Sequence, residues 1–339
     1  MTASGESTEQ STVPDPAEFA VVVTATLKEF LEVVRDELKA DRAESVLTLI
    51  DRLLDSGGGR TRPYLCYLGY RLAGGGHDDR ILRVGGSLEL FHTFALLHDD
   101  VIDEAQTRRG VSLSTFGDET GDKAAMILAG DLAFALSDRL FWSSGFSPEL
   151  LMKAMPILSE MRSRTAAGQF LEIVYSGQIA DPREARSIAK LKTASYTFEG
   201  PLALGATLAG AEPEFIENVR KLGRIAGEAF QLRDDLQLMD GENDDLVLGR
   251  PSTLIAEAGQ RVGVEERDVI LLAMGGGTNG SVAAALDVIS RSGAVELIRS
   301  EVASLSSQAV DALQTLSPSG EPKAISRLKE IAVWISESG

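Results

Sequence analysis

The sequence predicts an all-α protein, and three observations carry that reading. Apolar residues recur three or four apart in FLEVVRDEL (Phe30–Leu38), SVLTLIDRLL (Ser45–Leu54) and most later segments. No stretch alternates apolar and polar residues convincingly, as a half-buried strand would. Glycine clusters at Gly57–Gly59, Gly74–Gly76 and Gly275–Gly277 punctuate the helical pattern. With 339 residues, 44% hydrophobic and 25% charged, the chain can bury a large core. No internal linker divides it. One helical domain is therefore expected over residues 17–339, after a Ser-, Thr-, Glu- and Pro-rich tail over residues 1–16 that reads as disordered.

Helical periodicity begins near Phe19 and breaks at Ser56–Pro63. That break places Arg60 and Arg62 at a loop-to-helix junction, where free backbone N–H groups and guanidiniums can hold a phosphate together; a glycine loop with surface arginines is the plainer alternative. The next helix, about Asp79 to Glu104, carries LELFHTFALLHDDVID. His92 lies seven residues before Asp99, hence on nearly the same face two turns down. Two more helices are expected within residues 121–178. Asp181 then reads as an N-cap followed by Pro182 at the first helical position. Lys192 and Thr193 precede small and apolar residues, which turns that stretch inwards. A further helix ends at Asp240, and amphipathic helices resume after Ile255, around a glycine-rich loop at 275–280.

Two acidic stretches carry the chemistry. Leu96–Gly110, LLHDDVIDEAQTRRG, packs Asp99, Asp100 and Asp103 with Arg108 and Arg109. On a helix Asp99 and Asp103 are i and i+4, so both project from one face and repel unless a cation joins them. Oxygen donors without paired Cys or His favour Mg²⁺ over zinc. Arginines alongside suit phosphate oxygens, so the stretch reads as a diphosphate site. Phe230–Asp240, FQLRDDLQLMD, repeats the pattern with Asp234 and Asp235. The two pairs can cooperate only if their helices face each other across a cavity.

Composition excludes other classes. A net charge of −18 argues against nucleic acid, which needs a basic surface. The single cysteine, Cys66, has no internal partner and sits in an apolar run, which suits a reducing cytoplasm. No apolar run is long enough to span a membrane, and the N-terminus has no apolar signal core. A cytoplasmic location without stable membrane insertion is expected.

The motifs resemble those of the trans-isoprenyl diphosphate synthases. Asp99, Asp100 and Asp103 match the family's DDxxD in full, followed by Arg108 and Arg109; the second motif matches in part, with Leu238 where the last Asp is usual. GGGRTRP (Gly57–Pro63), His92, Lys192 with Thr193, and Gln231 come in the family's order. The resemblance implies a single large helical bundle around a central cavity, the isoprenoid synthase fold. It implies a Mg²⁺-dependent prenyltransferase that condenses isopentenyl diphosphate with an allylic diphosphate (dimethylallyl, geranyl or farnesyl). Asp99, Asp103 and Asp234 would hold Mg²⁺; Lys192, Thr193, Gln231 and Arg108 would serve the allylic diphosphate; Arg62, His92 and Arg109 would hold isopentenyl diphosphate. Asp100 and Asp235 are further candidates.

Two departures stand out: Gly59 replaces a family lysine, which Arg60 would have to cover, and the loop after Asp240 is short, with Arg250 in place of lysines. Phe94, five residues before Asp99, and Ala95 resemble the chain-length positions of archaeal-type short-chain synthases, which implies a C20 product, or C15. Family members are commonly homodimers. Two rivals remain: an enzyme of the same fold that ionises a single allylic diphosphate, and a non-catalytic subunit of a heteromeric synthase, which would usually lack the first motif.

Overall fold

A computed structural model describes residues 13–241, 245–274, 276–316 and 320–337. Helices dominate them. The order is α1 (Pro16–Lys39), α2 (Thr48–Asp55), α3 (Thr61–Leu72), α4 (Asp79–Ile102), α5 (Glu119–Trp142), α6 (Pro148–Tyr175), α7 (Pro182–Ala189), a π-helical segment (Lys190–Glu199), α8 (Gly200–Leu208), α9 (Pro213–Leu236), α10 (Thr253–Arg261), α11 (Val264–Met274), α12 (Asn279–Arg291), α13 (Ala294–Leu316) and α14 (Pro322–Glu337). Among the described residues strand pairing is confined to a hairpin of Thr107–Arg108 with Val111–Ser112. Arg109 and Gly110 form its turn with φ of 50° and 75°, as a tight two-residue hairpin turn requires.

Of the tail expected over residues 1–16, residues 1–12 lie outside the described residues. Val13 is buried in the main core, the Tyr64 hydroxyl donates to the Pro14 carbonyl, and Asp15 caps α1 reciprocally with Glu18. Residues 13–15, expected to belong to the tail, are thus packed against the fold, and α1 begins at Pro16. The first acidic helix stops at Ile102, with Asp103 as its C-cap, so Arg108 and Arg109 sit on the hairpin rather than a helical turn further on. Likewise α9 ends at Leu236, four residues before the expected Asp240. The expected break at Gly275–Gly277 is described only from Gly276, since Gly275 lies outside the described residues.

Core packing places the site. α4 pairs with α5, α3 with α8, and α9 lies between α13 and the π-helical segment. The π-helical segment has no signature in the sequence, and it packs at close range against α6. Gly168 on α6 faces the Lys192 backbone, and a Cβ at Gly168 would collide with it. The widened turn carries Lys192 and Thr193 at the level of the acidic ends of α4 and α9, in the same pocket as Asp234.

Arg60 is the residue whose reading changes most. It enters α3 with a left-handed φ of 46° and its side chain turns into the scaffold. Its guanidinium donates to Glu89 on α4 at 2.8 Å, to Thr24 on α1 at 3.1 Å, and to the carbonyls of Leu54 and Gly57. Every nitrogen is thereby engaged, so Arg60 does not cover for the missing lysine. It ties α1, α2 and α4 together instead. Arg60→Ala strands a buried Glu89 carboxylate and should lower the unfolding free energy by about 3–5 kcal/mol in urea titrations. An unchanged midpoint would show that the pair contributes nothing.

Candidate active site

The two acidic motifs meet over one hollow. The C-terminal end of α4 supplies Asp99 and Asp103, and the last turn of α9 supplies Asp234 and Asp235. A cavity of about 170 Å³ is lined by Glu172, Lys192, Thr193, Gln231, Asp234, Asp235, Asp245 and Arg250, among others. Asp99 and Asp103 reach it through shared cations. Lys192 Nζ lies 3.4 Å from Asp99 and bonds Glu172, while the Arg250 guanidinium bonds Asp103, 3.8 Å from Asp99 and 3.5 Å from Asp245. Gln169 donates to Glu172 at 3.3 Å and completes a chain from α6 to α4.

Burial makes these charges depend on one another. Desolvation, followed by repulsion from Asp245, pushes the Asp234 carboxyl up to about 6. Desolvation and the charges of Asp245 and Asp234 push Asp235 up to about 7. Burial works against the Lys192 ammonium, but Glu172 and Asp99 outweigh it and hold the group above its usual value. Arg250 is raised in the same way, Asp103 and Asp99 overcoming the desolvation.

The two aspartates within each pair divide their work. Asp100 is buried and accepts a bidentate clamp from Arg108, Nε at 2.7 and 2.8 Å and Nη2 at 2.6 Å. Arg108 then lies 3.8 Å from Asp99. Asp235 accepts the backbone N–H of Thr253 at 2.7 Å, that of Leu254 at 3.4 Å and Gln231 Nε2 at 3.5 Å. It therefore caps α10, whose own N-cap, Ser252, makes no side-chain bond. Asp234 lines the hollow, and Asp99 and Asp103 are joined to its edge through Lys192 and Arg250.

Oxygen donors of this kind fit Mg²⁺. Among the described residues no three ligating side chains form a ready-made cage.

A second, basic region adjoins. His92 Nδ1 lies 3.3 Å from the Tyr196 hydroxyl, and the Arg62 guanidinium stacks on the Tyr196 ring at 4.1 Å. Burial, then the charges of Arg62, Arg109, Arg108 and Arg60, hold the His92 imidazole far below its usual value, so it is neutral. Arg62 Nε is buried without a hydrogen-bond partner among the described residues, and Arg109 donates to the Gly57 carbonyl at 2.8 Å. Guanidiniums and a neutral imidazole around a glycine loop can hold a diphosphate without metal. Below Asp99, Phe94 packs against Phe91, Phe134 and His98, with ring centroids 4.6–5.6 Å apart. Ala95 is the small, half-buried neighbour of Phe94.

Asp245 escaped sequence reasoning, because in GENDDLVLGRP it looks like one more solvated loop acid. Leu238, at the position of the absent third motif aspartate, is buried in the core. Glu172 on α6 pairs with Lys192 of the π-helical segment, a long-range partnership that no local pattern spells out.

A helical bundle that sets clustered carboxylates beside a group of arginines points to a class of enzyme acting on diphosphates. The comparisons make it specific. A family model described as polyprenyl synthetase matches residues 43–287. The chain is 26% identical to a short chain isoprenyl diphosphate synthase of Methanothermobacter thermautotrophicus, over 89% of this chain and 94% of that one. It is 30% identical to the octaprenyl diphosphate synthase of Escherichia coli, over 86% and 92%. A crystal structure of geranylgeranyl pyrophosphate synthase from Corynebacterium glutamicum, complexed with isoprenyl diphosphate and magnesium, superposes with a TM-score of 0.85 at 28% identity, covering 96% of this chain and all of that one. The chain belongs to the polyprenyl synthetase family, the trans-isoprenyl diphosphate synthases, and is a prenyltransferase.

The two aspartates of the second motif should separate in stability measurements. Asp235→Ala removes the cap of α10 and should lower the unfolding free energy by about 1–2 kcal/mol. Asp234→Ala leaves that cap in place and should lower it by less than Asp235→Ala does. Equal losses would reject the division.

Proposed function

We propose that the protein condenses isopentenyl diphosphate with an allylic diphosphate in a Mg²⁺-dependent reaction, to give a short trans-polyprenyl diphosphate. The observation that carries this is the pairing of two unlike anion sites: an acidic hollow that needs a cation, beside a basic pocket that does not. Lys192, Thr193 and Gln231 hold the allylic diphosphate over Asp99, Asp103 and Asp234. Those three carboxylates would hold Mg²⁺, which would supply neutralisation of the departing pyrophosphate. Arg108, fixed by Asp100, adds positive charge beside Asp99. Arg62, Arg109 and the neutral His92 orient isopentenyl diphosphate so that its double bond faces the allylic carbon. Apolar helix faces exclude the water that would quench the cation. Loss of a proton completes the five-carbon extension, with the released pyrophosphate as base.

The basic pocket favours two substrates over the single-substrate rival, which has no use for Arg62, Arg109 and His92 together. The intact first motif argues against a non-catalytic subunit. We place the product at C20, with Phe94, which packs against Phe91 and Phe134 and lies five residues before Asp99 on α4, as the wall that ends the growing chain. The protein works as a homodimer in the cytoplasm on this reading. Among the described residues no helix is long and apolar enough to cross a membrane.

Labelled isopentenyl diphosphate incubated with Mg²⁺ and each allylic primer should yield a chain-extended product; chelation by EDTA should abolish it. Turnover of an allylic diphosphate alone, with no extension, would establish the rival. Asp99→Ala should lower kcat by at least about 100-fold, and Phe94→Ala should lengthen the product seen on chromatography. An unchanged length would remove Phe94 from the wall.

A further inference from the structure

Tyr196 lies outside both acidic motifs and the glycine loop, yet it touches two of the three side chains proposed to hold isopentenyl diphosphate. It stands on the π-helical segment, which glycines of two neighbouring helices let approach closely. A Cβ at Gly168 of α6 would collide with the Lys192 backbone, and on α9 one at Gly223 would meet Glu199 Cα at 2.6 Å and one at Gly227 the Ala194 Cβ at 2.9 Å. The ring is confined as well as the backbone. Tyr196 is 8% exposed, the Phe91 ring meets it nearly edge-on with centroids 6.1 Å apart, and the Arg62 guanidinium lies over its face at 4.1 Å. Its hydroxyl then falls 3.3 Å from His92 Nδ1.

His92 is neutral, and a neutral imidazole carries one N–H, on either nitrogen. A phenol hydroxyl has one hydrogen to give, and Nδ1 is the acceptor set beside it. Donation there puts the imidazole proton on Nε2, where it can donate to a phosphate oxygen. With the proton on Nδ1, Nε2 would turn a lone pair towards that oxygen and repel it. The ring face serves Arg62 in a complementary way, because a stacked guanidinium keeps its N–H donors, and Arg62 Nε is buried with no hydrogen-bond partner among the described residues. We infer that Tyr196 is a positioning residue for the second diphosphate, its hydroxyl setting the Nε2–H form of His92 and its face holding Arg62. This rests on the proposed assignment of Arg62 and His92 to isopentenyl diphosphate.

The test compares Tyr196→Phe, which keeps the ring and loses the hydroxyl, with Tyr196→Leu, which loses both. Nitrogen NMR of the isotopically labelled full chain, with the His92 signals identified through His92→Gln, should find the wild-type proton on Nε2 and, in Tyr196→Phe, a mixture of the two forms. Calorimetric titration with isopentenyl diphosphate, in EDTA so that no metal takes part, should show binding weakened about fivefold in Tyr196→Phe and about tenfold or more in Tyr196→Leu. KM for isopentenyl diphosphate should rise in step, while KM for the allylic diphosphate stays within about twofold of wild type. A wild-type proton on Nδ1 overturns the inference, as does a Tyr196→Phe variant in which either the His92 signals or the affinity is unchanged. If the variants do not fold, the wild-type proton decides: on Nε2 it supports the inference, on Nδ1 it overturns it. A protein that fails to condense the two substrates but responds to Tyr196→Phe as stated would reject the proposed reaction and keep this role of Tyr196. An active enzyme in which neither readout responds would reject only the role of Tyr196.

Discussion

Repulsion among half-buried carboxylates is the constraint on which the site depends. Glu172, Asp234 and Asp245, from α6, α9 and the loop before α10, line one hollow with Lys192 and Arg250, and those two cations join Asp99 and Asp103 of α4 to its edge. Gathering so many like charges away from bulk water is unfavourable unless cations sit among them. The raised carboxyls of Asp234 and Asp235 are the visible cost. Lys192 and Arg250 offset part of it, and an oxygen-seeking divalent ion fits the remainder.

Other features follow from holding that arrangement still. Arg108 clamps Asp100 so that the neighbouring Asp99 keeps its direction, and Asp235 caps α10 so that Asp234 does the same. Gly168 lets the π-helical segment press close enough to deliver Lys192. On the opposite side charge is managed differently: Arg62, Arg109 and a neutral His92 surround the glycine loop, and Arg60 is consumed in holding that loop to the scaffold. On the proposed reading one diphosphate would meet metal ligands and the other only cations, which would give the two substrates different places.

Much of this was legible in the sequence. Asp99 and Asp103 at helical spacing, the echo at Asp234 and Asp235, and the Lys192–Thr193 and Gln231 positions are local patterns, and local patterns survive folding. What the sequence hid was tertiary. Nothing in GGGRTRP says that Arg60 turns inwards to Glu89 while Arg62 stacks on Tyr196, because the choice depends on a residue 29 positions away in one case and on a ring from the π-helical segment in the other. The π-helical turn needs Gly168 opposite it, a long-range contact. Asp245 is indistinguishable from a solvated acid until the turn closed by Arg250 aims it into the hollow. The hairpin at Arg108–Val111 was hidden because two residues on each side leave no alternation to read.

The most direct test of the claim that the two acidic motifs serve one bound group is a double-mutant cycle. Binding of pyrophosphate in the presence of Mg²⁺ would be measured for wild type, Asp99→Asn, Asp234→Asn and the double variant. Shared service predicts that the combined loss departs from the sum of the single losses by at least about 0.5 kcal/mol. Losses that add to within about 0.3 kcal/mol would mean two independent sites and would contradict the account.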